Sequence, residues 1–128
     1  MKTIDLSNKY GLTALNFASN RDISTGFCGD LLSIVMSKAP TDSVWFTVMN
    51  NVNVIAVASL VDVSAVVICD AEVNKELIEK AKENNINLYS SKEDVFSTLK
   101  RIGELWILTM IYIFIQDLVL VQIMICRL

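Results

Sequence analysis

The chain has 128 residues, enough for one hydrophobic core but too few for two ordinary domains. Its formal net charge is -3 and its basic residues are scattered apart from Lys100-Arg101, which argues against a nucleic-acid binder. It contains no histidine, which excludes Ser-His and Cys-His nucleophiles and most zinc sites. The cysteines show no C-x-x-C spacing, and Asp5 precedes any signal-peptide core. We therefore expect a reduced, cytoplasmic setting, with Cys28 and Cys69 as buried thiols.

Short elements are predicted in the first third of the chain. A helix over residues 6–10 ends at Gly11, and a strand covers residues 12–17. The stretch STGFCGDLLS, residues 24–33, predicts a glycine-containing loop that leads into a helix over residues 30–36. The apolar side chains of that helix, which we expect in the core, are Leu31, Leu32, Val35 and Met36.

Strands and helices alternate in the following part of the chain. Apolar and β-branched runs predict strands over residues 43–49, 64–69 and 86–89. The intervening patterns predict helices over residues 55–61 and 75–83, and a last helix runs through residue 102. This alternation predicts an α/β fold with a mostly parallel sheet flanked by helices.

Two of these helices carry signals for their first residues. Asn74 is predicted as the N-cap of the helix over residues 75–83. The stretch Ser90-Ser91-Lys92-Glu93 has capping-box spacing, which predicts that the last helix starts there. The apolar side chains of the last helix, which we expect in the core, are Val95, Phe96, Leu99 and Ile102.

Ligands of parallel α/β sheets bind outside the carboxyl ends of the strands. The loops that we expect at this edge cover residues 24–30, 49–53, 69–72 and 89–92. In the first loop, Gly26 and Gly29 would let backbone N–H groups approach an anion, and Ser24 and Thr25 would add hydroxyls. The alternative is that the glycines only relieve a tight turn. Asp30 is interpreted as either a catalytic base or an acid at a helix start.

The later loops carry amides and acids. Asn50, Asn51 and Asn53 can hydrogen-bond to a base or a sugar, although asparagine is also a common turn former. Asp70 and Glu72 could hold Mg²⁺, which usually binds through one or two carboxylates and substrate phosphates. The alternative interpretation is that both are solvated loop acids.

The composition changes abruptly over residues 105–126, where strongly polar side chains are confined to Thr109, Gln116, Asp117 and Gln122. A helix of that length would reach roughly 33 Å, enough to cross a bilayer core. Three interpretations stay open for this apolar tail: a membrane anchor, an element buried in the core or in an oligomer interface, and an extension foreign to the fold.

Three stretches carry a family resemblance: ISTGFCGDLLSIVM, VWFTVMNNVNVIAVASL and AVVICDAEVNKELIEKAKENNINLYSS. Together they resemble the DRTGG domain, especially the small stand-alone members associated with iron-only hydrogenases. The resemblance covers residues 1–104 and leaves 105–128 outside. Related domains accompany the catalytic part of some phosphotransacetylases and resemble the amino-terminal domain of HPr kinase/phosphorylase. The resemblance implies an α/β fold of that type and a regulatory or ligand-sensing module.

The resemblance also implies a set of site residues. The family's acid-Arg and Thr-Gly-Gly elements fall on Asn20-Arg21 and Ser24-Thr25-Gly26, where Arg21 and Gly26 are kept. Ser24 preserves a hydroxyl, whereas Thr25 replaces a glycine. A histidine of the hydrogenase-linked members falls at Asn51, and Asn53 matches their pattern.

We therefore expect a non-catalytic regulatory or accessory domain that binds a small ligand, such as a nucleotide, or a protein partner, and that forms a homo-oligomer. The expected ligand-binding residues are Arg21, Ser24, Thr25, Gly26, Asp30, Asn51, Asn53 and Asp70. No catalytic residue, metal ligand or cofactor is assigned. One alternative is a Mg²⁺-dependent phosphoryl-transfer enzyme using Asp70 or Glu72, although the chain has no P-loop. The other is a membrane-tethered scaffold that uses the tail.

Overall fold

The computed structural model describes residues 1–103 together with 111, 114, 115 and 118. The strands are β1 (Thr13–Asn16), β2 (Thr25–Cys28), β3 (Ser43–Thr47), β4 (Ala65–Cys69) and β5 (Leu88–Ser91). The helices are α1 (Asp5–Asn8), α2 (Leu32–Lys38), α3 (Asn53–Val61), α4 (Lys75–Glu83) and α5 (Val95–Arg101). The sheet order is β1-β5-β4-β3-β2, in which β2 to β5 run parallel and β1 runs antiparallel to β5. The predicted mostly parallel sheet flanked by helices is confirmed.

The helices divide between the two faces of the sheet. Each step from β2 to β5 moves to the adjacent strand in the same direction, so right-handed crossovers place α2, α3 and α4 on one face. Their apolar side chains form one core cluster with Trp45, Val66, Ile68 and Leu88. A second cluster joins α1 and α5 to the opposite face, and its strand residues are Val44, Phe46, Ala65, Val67, Cys69 and Tyr89. All residues of β3 and β4 are buried, as expected for central strands covered on both faces.

The helix starts differ in how well the sequence predicts them. Asn74 is the N-cap of α4, and its side chain accepts a hydrogen bond of 2.9 Å from the Leu77 N–H, as predicted. The predicted capping box before α5 is wrong because Ser91 belongs to β5. The N-cap is Asp94, whose Oδ1 accepts from the Ser97 N–H at 2.7 Å.

Three predicted core side chains are exposed instead. Leu31 is exposed because it lies just before α2 as its extended N-cap residue, and Met36 is exposed because it follows the fully buried Val35 by one position and so lies on a different side of the helix. Phe96 is 75% exposed, since it lies two positions before the buried Thr98 and therefore on the opposite side of α5.

The predicted apolar tail falls mostly on residues that the structure does not describe. Its three interpretations, and the boundary between residues 104 and 105, remain predictions. The described tail positions are helical with exposed side chains: Ile111, Phe114, Ile115 and Leu118. Within the described part of the chain, no helix combines the length and apolar character needed to cross a bilayer.

A buried amide holds the start of β5 to two other segments. Asn87 is 2% exposed, and its Oδ1 accepts from the N–H groups of Ala18 at 2.7 Å and Ser19 at 3.1 Å. Its Nδ2 donates to the carbonyls of Ser19 at 2.8 Å and Ser64 at 2.9 Å. The side chain therefore fastens the segment after β1 to the turn before β4.

We predict that Asn87→Ala lowers the free energy of unfolding by about 2–4 kcal/mol, because it removes four hydrogen bonds made by one buried amide. Urea denaturation measures the loss. Asn84→Ala is the matched control, since its exposed amide makes one bond to the Lys80 carbonyl at a helix end. Equal losses in the two variants would contradict the role given to Asn87.

Candidate functional site

The predicted ligand-binding residues lie at two opposite sides of the sheet, some at the amino ends of the parallel strands (the amino edge) and some at their carboxyl ends (the carboxyl edge). Thr25–Cys28 is not a loop but the edge strand β2, paired in parallel register with Ser43–Phe46 of β3. Ser24, Thr25 and Gly26 consequently lie at the amino end of that strand, and Asp30 lies beyond its carboxyl end. The predicted loop over residues 24–30 is therefore wrong.

Arg21 links two turns at the amino edge. Its guanidinium donates to Asp42 Oδ1 at 2.6 Å, to Asp62 Oδ1 at 3.0 Å and to the Val63 carbonyl at 2.9 Å. Asp42 and Asp62 both have left-handed backbones, with φ of 61° and 63°. Burial lowers the pKa of Arg21, but hydrogen bonds and charge from the two aspartates outweigh burial and raise it. The side chain is thus engaged in holding the turns that precede β3 and β4.

The neighbouring hydroxyls are also engaged. Ser24 Oγ donates to the carbonyls of Thr41 and Asp42, both at 3.2 Å. Thr25 Oγ1 lies 3.5 Å from the Gly26 carbonyl, a long local contact. These hydroxyls therefore contact carbonyls of the fold itself, and ligand binding at Ser24, Thr25 and Gly26 stays a prediction.

Asp30 joins the ends of β2 and β3 at the carboxyl edge. Its Oδ1 accepts from Thr47 Oγ1 at 2.8 Å and from the Val48 N–H at 2.9 Å. The N-cap of α2 is Leu31, which makes no side-chain capping bond. Asp30 therefore acts as a bridge between loops rather than as a helix-start acid.

The asparagines organise the next loop. Asn50 Nδ2 donates to the Glu72 carbonyl at 2.8 Å, which ties the loop after β3 to the loop after β4. Asn51 Oδ1 accepts from the Asn53 N–H at 3.0 Å, a local turn contact just before α3. Asn53 is the first residue of α3 and is exposed. Asn51 therefore acts as a turn former, which is one of the two interpretations given for it.

A cleft of about 280 Å³ opens between the carboxyl ends of β4 and β5. It is lined by Asp70, Ala71, Glu72, Ser90, Ser91 and Lys92. The Asp70 N–H donates to the Ser91 carbonyl at 3.0 Å, and Asp70 has a left-handed φ of 49°. In the described part of the chain, no hydrogen bond or ion pair engages the side chains of Asp70, Glu72 or Lys92. Acidic and basic side chains thus line the cleft without an ion pair between them among the described residues.

Buried hydroxyls and a thiol lie behind this cleft. Ser91 Oγ and Thr98 Oγ1 are 2.7 Å apart, which connects the end of β5 to α5. Burial raises the pKa of Cys69 to about 11, although its hydrogen bond with Thr98 acts in the opposite direction. Cys69 is buried as predicted, but Cys28 is exposed because it lies on an edge strand. Among the described residues, no three groups of metal-ligand type come together.

The sequence predicts residues 89–92 at the carboxyl ends of the strands, but it does not single out Lys92 as a ligand-binding residue. The signal is the polar run Ser90-Ser91-Lys92 immediately after the apolar residues of a strand. The sequence does not predict strand β2, because Gly26 interrupts its short run of strand-forming residues. In the structure, half-buried Thr25 and Phe27 alternate with exposed Gly26 and Cys28, as in an edge strand.

No family model and no curated protein matches the chain. Its fold is similar to a crystal structure of the CBS and DRTGG domains of the regulatory region of Clostridium perfringens pyrophosphatase, complexed with the activator diadenosine tetraphosphate. The TM-score is 0.62 at 16% sequence identity, over 78% of this chain and 45% of that chain. This chain therefore spans less than half of that regulatory region. The likeness supports the predicted DRTGG-like α/β fold.

We predict that Arg21→Ala lowers the free energy of unfolding by about 1–2 kcal/mol, since two partly exposed ion pairs and two hydrogen bonds to carbonyls are lost. Denaturant unfolding measures this change. Lys2→Ala is the control, because Lys2 makes an exposed ion pair of 3.1 Å with Asp22. A loss no larger than that of the control would contradict a structural role for Arg21.

Stability is also expected to fall in alkali through Cys69. Its pKa is raised in the folded state from 9.0 to about 11, so the neutral thiol favours folding fully below pH 9 and this contribution is lost as the pH rises toward 11. Wild type and Cys69→Ala should therefore differ in unfolding free energy by an amount that shrinks across this window. A pH-independent difference in denaturant titrations would contradict the assignment.

Proposed function

We propose that this chain is a non-catalytic regulatory or accessory domain that binds a small phosphorylated ligand, such as a nucleotide, in the cleft between the ends of β4 and β5. The observation that carries the proposal is which charged side chains lack a hydrogen-bond or ion-pair partner. Within the described part of the chain, those of Asp70, Glu72 and Lys92 have no partner, whereas Arg21 and Asp30 are held by contacts of the fold.

The charges of the cleft indicate how such a ligand would bind. Asp70 and Glu72 follow β4, and Lys92 follows β5, so a phosphate approaching the cleft meets two carboxylates and one ammonium. Mg²⁺ typically binds through one or two carboxylates together with substrate phosphates. We therefore expect a phosphorylated ligand to bind with Mg²⁺ between it and the acids, and with Lys92 paired to the phosphate.

Two further points support this assignment. The structurally similar pyrophosphatase region is complexed with a nucleotide activator, which favours a nucleotide among phosphorylated ligands. Two nucleophilic groups near the cleft are poorly suited to catalysis, because Ser91 Oγ is paired with Thr98 and burial raises the pKa of Cys69. The hydrogenase association, cytoplasmic location and tail function remain predictions from the sequence.

A thermal-shift screen of the full chain tests the proposal. We expect a nucleotide at about 100 times its dissociation constant to raise the unfolding midpoint by roughly 5 °C or more, with Mg²⁺ and not with EDTA. Nucleoside di- and triphosphates, dinucleoside polyphosphates and inorganic pyrophosphate serve as probes. Turnover of a labelled nucleotide would contradict the non-catalytic assignment.

Matched variants locate the site. Lys92→Ala and Asp70→Asn should lose most of the shift, whereas Lys82→Ala and Glu79→Gln, at exposed positions of α4, should retain it. The midpoint of each variant without ligand reports its folding. If no probe shifts the wild type, or if the cleft and α4 variants respond alike, the cleft is not the ligand site.

A further inference from the structure

The outer edge of β2 is unpaired in the described part of the chain. The Gly29 N–H donates to the Phe46 carbonyl of β3 at 3.2 Å, and Cys28 is the residue in register with Phe46. Since backbone groups of successive strand residues point to alternate sides, Phe27 also bonds toward β3, and the N–H and C=O groups of Gly26 and Cys28 point outward. This edge therefore offers two donors and two acceptors to another strand.

Strand β2 lacks the features that usually prevent an exposed edge strand from pairing with another chain. It has no charged residue or proline within Thr25–Cys28, and its register with β3 is regular. The opposite edge strand β1 has a register irregularity between Ala14 and Asn16, a device that disfavours pairing. Of the two edge strands, β2 is therefore better suited than β1 to pair with another strand.

We propose that a second copy of this chain pairs with β2 in antiparallel fashion across a two-fold axis, which continues the sheet through the dimer. A neutral strand can face itself without like-charge repulsion, and a two-fold contact closes on itself instead of growing into a fibre. Gly26 then exchanges backbone hydrogen bonds with the partner's Cys28, and Phe27 faces the partner's Phe27. The half-buried Phe27 and the exposed Leu31, just beyond the strand, supply apolar surface for the contact.

A disulfide placed at the proposed register tests the contact in the full chain. Hydrogen-bonded residues of an antiparallel pair have Cα atoms about 5.5 Å apart, within disulfide range, so Gly26→Cys should link to the partner's native Cys28 under mild oxidation. Gly26 does not have a positive φ, so a side chain at this position brings no backbone strain. We expect a disulfide-linked dimer as the main species on non-reducing gels.

The controls separate this register from general association. Wild type, whose Cys28 thiols would lie apart, and Ser59→Cys, on the exposed side of α3, should stay largely unlinked. Linking of Gly26→Cys no greater than that of these controls would overturn the proposal, including the case in which β2 accepts a different protein.

Sedimentation velocity provides a measurement that does not depend on thiol chemistry. Cys28→Lys places a lysine on each strand of the proposed pair, a substitution that natural edge strands use against pairing, so the dimer should dissociate at concentrations where Ser59→Lys remains dimeric. Circular dichroism checks that each variant is folded. Equal dimer fractions in the two variants, or a monomeric wild type at all concentrations, would overturn the proposal.

Discussion

The handedness of the crossover between neighbouring parallel strands determines the layout of the described domain. Because β2 to β5 are added in one direction, α2, α3 and α4 share a face. The opposite face is then covered by α1 and α5, helices of four and seven residues. Such short helices bury little apolar area, and buried hydrogen bonds add to their attachment. Tyr89 Oη donates to the Thr3 carbonyl at 2.8 Å near α1, and Ser91 contacts Thr98 in α5.

The same winding limits where a ligand fits. Helices α2, α3 and α4, which follow β2, β3 and β4, lie on one face of the sheet, whereas α5, which follows β5, lies on the other. The chain therefore leaves the carboxyl ends of β4 and β5 toward opposite faces, an arrangement that opens a crevice between adjacent strands. The loops at the carboxyl edge are also connected in series: Asp30 to Val48, Asn50 to Glu72, and Asp70 to Ser91. Hydrogen bonds thus link successive loops along this edge, and Asp70, Glu72 and Lys92, whose charged side chains have no partner among the described residues, lie between the ends of β4 and β5.

Sequence patterns predict the parts of this fold that depend on local chemistry. The buried strands β3 and β4 and the N-cap of α4 are examples, as are the loops after β3, β4 and β5. Strand β2 depends on its hydrogen bonds with β3, and in the sequence alone Gly26 and the following Gly29 resemble a turn. Arg21 acquires its role only because folding brings Asp42 and Asp62 within reach. Lys92 becomes a candidate ligand-binding residue only because folding places it in the same cleft as Asp70 and Glu72, and no local sequence pattern shows this.

The antiparallel pairing of β1 with β5 has a consequence for how the chain reaches its native state. Strands β3, β4 and β5 each pair with the preceding strand, whereas β1 pairs across nearly the whole described domain, as Asn16 with Leu88. Closing this contact carries the largest loop entropy of any strand pair and follows the ordering of the segments between. The edge that contains β1 is thus the natural place for the sheet to open first, and its amide protons should exchange with solvent sooner than those of β3 and β4.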